Sequence, residues 1–175
     1  MRGLGTAVLA AALLVGLLVP SNAGALGRRA PDFTLLDLDG RKVTLSNLYG
    51  KGPILISLWA LWCRPCLEEL PHLDALYEEL RDRGVEVLAV SQDSPRSQNR
   101  VKAFIKSKKY DFRVLRDPNG ELARKLKTRV IPYTVILDSD GQIVHARTGY
   151  RKGQEAELME ILVDLLEERE AAESR

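Results

Sequence analysis

Two cysteines three positions apart, Cys63 and Cys66, stand just behind a nearly unbroken apolar run, Ile54-Leu55-Ile56-Ser57-Leu58-Trp59. Such a run suits a central strand buried on both faces. After the short loop Ala60–Trp62 a helical pattern begins, with Leu67, Leu70, Leu73, Leu76, Tyr77 and Leu80 recurring at steps of three and four. The chain is therefore obliged to place a dithiol at the junction of a buried strand and an amphipathic helix. These are the only two cysteines among 175 residues. They exclude a multi-bridge scaffold and a four-thiolate zinc centre.

At this junction the pair can close into a disulfide and reopen. Residues i and i+3 of a helix have Cβ atoms about 5–6 Å apart, and a disulfide needs about 3.5–4.5 Å, so a slight adjustment of the first turn suffices. Cys63 is expected at or before the first turn and exposed, as the attacking thiol. Cys66, one turn in and less exposed, is expected to resolve the mixed disulfide. Attack requires thiolate, and thiols at helix N-termini and in motifs of this spacing lose their proton more easily than the ordinary pKa of about 8.5 implies. Arg64 adds a positive neighbour and pushes the same way. Pro65 in the first turn removes no needed hydrogen bond. The motif alone leaves the redox poise open within about 100 mV.

The rest of the chain alternates strand and helix patterns. Pro31–Asp37 and Arg41–Leu45 flank Asp39-Gly40 as a hairpin, and Ser46 is positioned to cap a single turn through Tyr49. Pro71 should kink the helix after Cys66, and Gly84 should end it. Val85–Val90 reads as a strand, Ser94-Pro95 opens a helix to about Lys109, and Phe112–Leu115 reads as a short strand. Glu121–Lys127 is a short helix, and Tyr133–Leu137 and Ile143–Arg147 form a final hairpin. A last helix starts near Gly153, and its tail beyond Glu170 is expected to fray. This order implies an α/β domain: a central mixed sheet flanked by helices, with parallel right-handed units and an antiparallel end. The domain spans 30–168, with 169–175 as a frayed tail.

The first residues read as a targeting segment. Arg2 precedes sixteen uncharged residues, Leu4–Val19, followed by Pro20 and a small-x-small site ending at Ala23. Sixteen is short of the ~20 needed to span a bilayer comfortably. Residues 1–23 are therefore expected to be a cleaved signal peptide, with a retained N-terminal anchor as the alternative, and the mature domain is expected outside the cytoplasm, periplasmic or secreted. Net charge is +2, which names no partner. Residues Arg96–Arg129 hold twelve Lys/Arg against three acids, but carry no recognisable binding motif, so nucleic acid is not an expected partner. Trp59 is expected in the core and Trp62 at the rim of the site. His72 and His145 are expected as surface polar residues, and neither fits a metal pattern. No metal or other cofactor is expected.

Two motifs together carry a family resemblance. Trp62-Cys63-Arg64-Pro65-Cys66 after an apolar strand resembles the active site of the thioredoxin fold. Val130-Ile131-Pro132-Tyr133-Thr134 resembles that fold's cis-proline loop. The N-terminal hairpin extension, Glu69 followed by Pro71, and Gly149 after the last strand are similar to the extracytoplasmic TlpA/ResA-type branch. The resemblance implies Cys63 as nucleophile, Cys66 as resolving thiol, and Pro132 as a cis residue facing the disulfide. It implies that the backbone at Ile131 pairs with a client chain beside Trp62, Arg64 and Pro65. It also implies a proton role for Glu69, three residues after Cys66, where desolvation would raise a carboxylate's pKa. Cytoplasmic thioredoxins carry a buried Asp where this chain has Ser57, which leaves Glu69 to carry the proton. The function implied is a thiol–disulfide oxidoreductase acting on protein thiols and disulfides, apocytochrome c among them, recharged by a membrane electron donor of the DsbD/CcdA type.

Two other functions are weighed. A peroxiredoxin-like peroxidase needs Thr or Ser three positions before its reactive cysteine, and here Ala60 precedes Cys63 while Cys63 precedes Cys66. A copper-binding assembly chaperone of related type spaces its cysteines one residue wider and adds a distant His.

Overall fold

The computed structural model describes residues 26–174. The segment 1–23 therefore lies outside the described residues. Seven strands form one sheet in the order β2-β1-β5-β4-β3-β6-β7. β1 (Thr34–Asp37) and β2 (Lys42–Thr44) make the expected hairpin, and β1 extends the sheet antiparallel to β5. β3 (Ile54–Trp59), β4 (Glu86–Ser91) and β5 (Arg113–Arg116) run parallel. β6 (Tyr133–Leu137) and β7 (Ile143–Thr148) close the other side antiparallel.

The helices are α1 (Arg64–Leu80), α2 (Gln98–Lys108), α3 (Glu121–Lys125) and α4 (Glu155–Glu173). The connections β3–α1–β4 and β4–α2–β5 join adjacent parallel strands, so both helices return over the same face. There Leu70, Leu73 and Leu76 of α1, Val101 of α2 and Leu158 and Leu162 of α4 pack on Leu55, Trp59, Val87 and Ile136. α3 crosses the opposite face, where Leu122 packs with Val43, Leu45, Ile56, Leu58, Val90 and Val135. All six residues of β3 are buried, as its unbroken apolar run requires.

Local chemistry adjusts several boundaries. Ser46 lies inside the single 3-10 turn Leu45–Leu48 instead of capping it. Asp32 does that work from fourteen residues upstream, accepting from the Ser46 backbone N–H at 3.0 Å and its hydroxyl at 2.9 Å. α1 ends at Leu80, and one 3-10 turn, Arg81–Arg83, carries the chain to Gly84, which adopts the left-handed conformation at φ 102°. Ser94-Pro95 opens a separate 3-10 turn, Pro95–Ser97, before α2 begins. α4 continues past Glu170 to Glu173, because Arg83 grips Glu170 at 3.1 Å and Arg169 donates to the carbonyls of Lys51 and Arg83. Among the described residues no helix is long and apolar enough to cross a membrane.

Candidate active site

β3 delivers the chain to the site and stops at Trp59. Its backbone carbonyl accepts from Gln92 N–H at 2.8 Å, and the buried Asp93 accepts from Leu61 N–H at 3.0 Å. Asp93 also accepts from the Ser91 hydroxyl at 3.0 Å. The end of β4 thus pins the loop that presents the cysteines. Sequence reading missed Asp93, since its partner is thirty-two residues away.

Cys63 and Cys66 are joined as a disulfide. Cys63 is the N-cap of α1, and its Sγ accepts from the Cys66 backbone N–H at 3.3 Å. The first-turn N–H groups of a helix lack internal partners and form the positive end of its dipole, so they favour a sulfur anion there. Pro65 occupies the first turn without loss of a donor. Cys66 is fully buried, and Cys63 is only 6% exposed, which corrects the expectation of an exposed Cys63. Both cysteines belong to the core cluster that includes Trp59, Ala60, Leu70 and Leu73. Arg64 also differs from expectation. Its side chain is 90% exposed and pairs with Glu68 at 3.2 Å, so much of its charge is answered before it reaches the sulfur.

The Ile131–Pro132 peptide is cis, and Pro132 is buried. β3 and β6 are antiparallel with Leu58 opposite Tyr133, so the residues that follow Trp59 and those that precede Tyr133 meet at one end of the sheet. Ile131 packs against the core cluster that contains both cysteines. Gly149 N–H donates to the Pro132 carbonyl at 2.7 Å, and Gly149 holds φ 79°, a conformation that disfavours any side chain. Trp62, 72% exposed, and Val130, 55% exposed, stand on the two loops as an apolar rim. Trp59 is fully buried.

Glu69 lies one helical turn past Cys66 on the same side of α1 and is fully buried. It is not a solvated helix acid. Oε2 accepts from the Ser57 hydroxyl at 3.1 Å, and Oε1 accepts from Thr134 at 3.0 Å and from Arg147 Nη2 at 2.9 Å. Burial pushes its pKa up, against the lowering effect of the Thr134 hydroxyl, the Arg147 charge and the Ser57 hydroxyl. Ser57, Thr134 and Arg147 were not read as a group from the sequence. The alternating pattern of three separate strands was the only available signal: each polar residue occupies an inward position.

His145 departs from its expected surface placement. Its side chain is 15% exposed and its Nδ1 is 3.9 Å from Glu157. Burial lowers its pKa, with the Glu157 charge opposing and the Arg147 charge assisting. His72 is partly exposed, 3.8 Å from Glu155, and its ring stacks near Tyr150. Among the described residues no three His, Cys, Asp or Glu side chains converge as a metal site would require.

The profile of the AhpC/TSA family matches residues 26–146. The chain belongs to that family. Within it, the chain is similar to the thiol-disulfide oxidoreductase ResA of Bacillus thuringiensis subsp. konkukian, 31% identical over 132 residues and covering 75% of each chain. It is also similar to a solved candidate thiol:disulfide interchange protein DsbE of Chlorobium tepidum, with TM-score 0.73 and 26% identity over 81% of this chain and 97% of that one. A solved candidate protein disulfide isomerase of Bacteroides thetaiotaomicron superposes with TM-score 0.74 and 28% identity, over 86% of this chain and 95% of that one. The thioredoxin-like fold and the resemblance read from the two motifs are therefore correct. This AhpC/TSA member carries buried Ala60, without a hydroxyl, three positions before Cys63.

Proposed function

We propose that this thiol–disulfide oxidoreductase works outside the cytoplasm as a reductant of particular protein disulfides, apocytochrome c among them, and that a membrane dithiol donor of the DsbD/CcdA type recharges it. The observation that carries the reading is the fully buried Glu69 one turn behind Cys66, with Cys63 held at the mouth of the same helix. The relatives named above support the chemistry, and the export-like pattern of residues 1–23 supports the compartment. An oxidising compartment drains a lone reductant, hence the need for a donor.

In the reduced protein the Cys63 thiolate attacks one sulfur of a client disulfide. The first client sulfur leaves as thiolate and takes a proton from solvent. Glu69 then accepts the proton of the Cys66 thiol. The Cys66 thiolate attacks Cys63 Sγ, the second client sulfur leaves, and the Cys63–Cys66 bond forms. Two electrons pass from the pair to the client. The client backbone would lie along Ile131 and cis-Pro132, with Trp62, Pro65 and Arg64 bordering it. The Ser57 and Thr134 hydroxyls, which donate to the Glu69 carboxylate, keep it in place through the cycle.

The reduction potential of the purified domain tests the direction. A value near about −270 mV or lower supports a reductant, and one near about −120 mV makes it an oxidant. Processing of the N-terminus in membrane and soluble fractions tests the compartment; intact chain confined to the cytosol would refute it.

A further inference from the structure

We propose that Arg147 is a positioning residue for the exchange reaction: it occupies one oxygen of Glu69 so that the other receives the Cys66 proton. The inference rests on the proton role of Glu69 given above. Ser57 on β3, Thr134 on β6 and Arg147 on β7 form one row across three neighbouring strands, since Ser57 pairs with Thr134 and Thr134 pairs with Arg147 in register. All three are buried and all three reach the same carboxylate from beneath α1.

The row divides the two oxygens unequally. Oε1 accepts from both Thr134 and Arg147, which fills its lone-pair sites. Oε2 accepts only from Ser57 among the described contacts, which leaves it one site. Arg147 is itself anchored, because Nη1 donates to the Gln154 carbonyl at 3.2 Å, just ahead of α4. A guanidinium held at both ends cannot swing to solvent while the proton moves. It answers the charge of Glu69 in a place that water does not reach.

A purely structural role is a poor account of this pair. Replacing a buried ion pair by apolar groups is often neutral or stabilising, so stability alone gives no reason to bury one. Other groups face the carboxylate. Cys66 and His72 flank it on α1, Tyr150 follows β7 with its hydroxyl donating to Glu155 at 3.0 Å, and His145 lies two residues before Arg147 beside Glu157. In the oxidised protein, where Cys66 carries no thiol proton, none of these is hydrogen-bonded to either Glu69 oxygen.

The test uses the full chain, reduced, with oxidised glutathione as the disulfide probe, and follows the single-turnover rate against pH. Wild type, Arg147→Met, Arg147→Lys, Glu69→Gln and the Glu69→Gln/Arg147→Met double variant are compared. Loss of the cation makes Glu69 hold its proton to higher pH, so Arg147→Met should move the midpoint of the rate profile up by about one pH unit or more. Arg147→Lys should return part of that shift. Glu69→Gln should leave only the titration of the Cys63 thiolate in the profile, and adding Arg147→Met to it should change nothing further. If Glu69→Gln removes the carboxylate's part of the profile while Arg147→Met keeps the wild-type midpoint, the inference fails alone. If Glu69→Gln keeps the wild-type profile, the reading of Glu69 fails and the inference goes with it. Should the Met variant not fold, Arg147→Gln carries the same arms.

Discussion

The two faces of the central strands are covered in the same way and lined differently. Beneath α3 and the N-terminal hairpin, Ile54, Ile56, Leu58, Val135 and Leu137 present only hydrocarbon. Beneath α1 and α4, the alternate residues of the same strands interrupt Leu55, Trp59 and Ile136 with Ser57, Thr134 and Arg147. The first face stabilises by burial alone, at about 25 cal/mol per Å² of apolar surface. The second gives up part of that gain to hold one carboxylate beside a thiol. That row of polar groups sets the face beneath the disulfide helix apart, and it is where the proposed proton transfer is located.

The strongest way to break this contrast is at the sulfur itself. Cys63→Ser should reduce cleavage of insulin disulfides to background, and Cys66→Ser should trap a mixed disulfide visible by mass spectrometry. Undiminished cleavage by Cys63→Ser would remove the helix mouth from the reaction.

Next in size is the buried pair. Arg147→Met leaves the Glu69 carboxylate buried without its cation, and should lower the stability of the oxidised protein by about 3–5 kcal/mol in urea unfolding at neutral pH. Replacing Glu69 by Leu in the same chain should restore most of that loss and leave exchange slow. A double variant as unstable as the single one would mean that the pair is architecture and not machinery.

Glu69→Gln should slow exchange about 10²-fold at neutral pH, within the range of general acid–base groups. Stability has a sign of its own here. The folded-state pKa of Glu69 is raised, so its contribution is fully present below the ordinary carboxylate value and is lost as pH rises through the raised value. The oxidised protein should therefore lose stability with rising pH across that window, and Glu69→Gln should abolish that part of the slope. A slope that survives the substitution would assign it to another group.

Gly149→Ala should cost about 1–2 kcal/mol, because φ 79° places a Cβ in the left-handed region while the N–H holds Pro132. Thermal unfolding measures it, and an unchanged melting temperature would show the turn relaxing freely. The smallest effect belongs to Arg64→Gly. Its ion pair with Glu68 and its exposure should limit the upward move of the Cys63 thiolate titration to less than about one pH unit, read by ultraviolet absorbance. A larger move would restore Arg64 to the role first read from the motif.

The dithiol junction, the buried run Ile54–Trp59 and the strand Tyr133–Leu137 were legible as linear pattern, each a local signal: a three-residue spacing or an apolar stretch. The cis-proline loop was legible only through the resemblance of Val130–Thr134 to a known fold's motif. Arg147 was not legible, because nothing in Ile143–Thr148 distinguishes an arginine that snorkels to solvent from one that turns inward. Its partner lies 78 residues away. The cap at Ser46 was misassigned for the same reason, since Asp32 and not a neighbour supplies the acceptor. Cys63 was expected to be exposed because spacing places a residue on a helix but says nothing of what packs around it in the fold.

By itself the sequence determined the secondary elements, the mixed α/β order and the place of the disulfide, for these follow from periodicity and from which residues can begin or end a helix. Only the tertiary structure decided which polar side chains share an interior. Strand register brings Ser57, Thr134 and Arg147 level with one another, and α1 lowers Glu69 onto them. Register is a property of paired strands, so no single segment of the chain contains it.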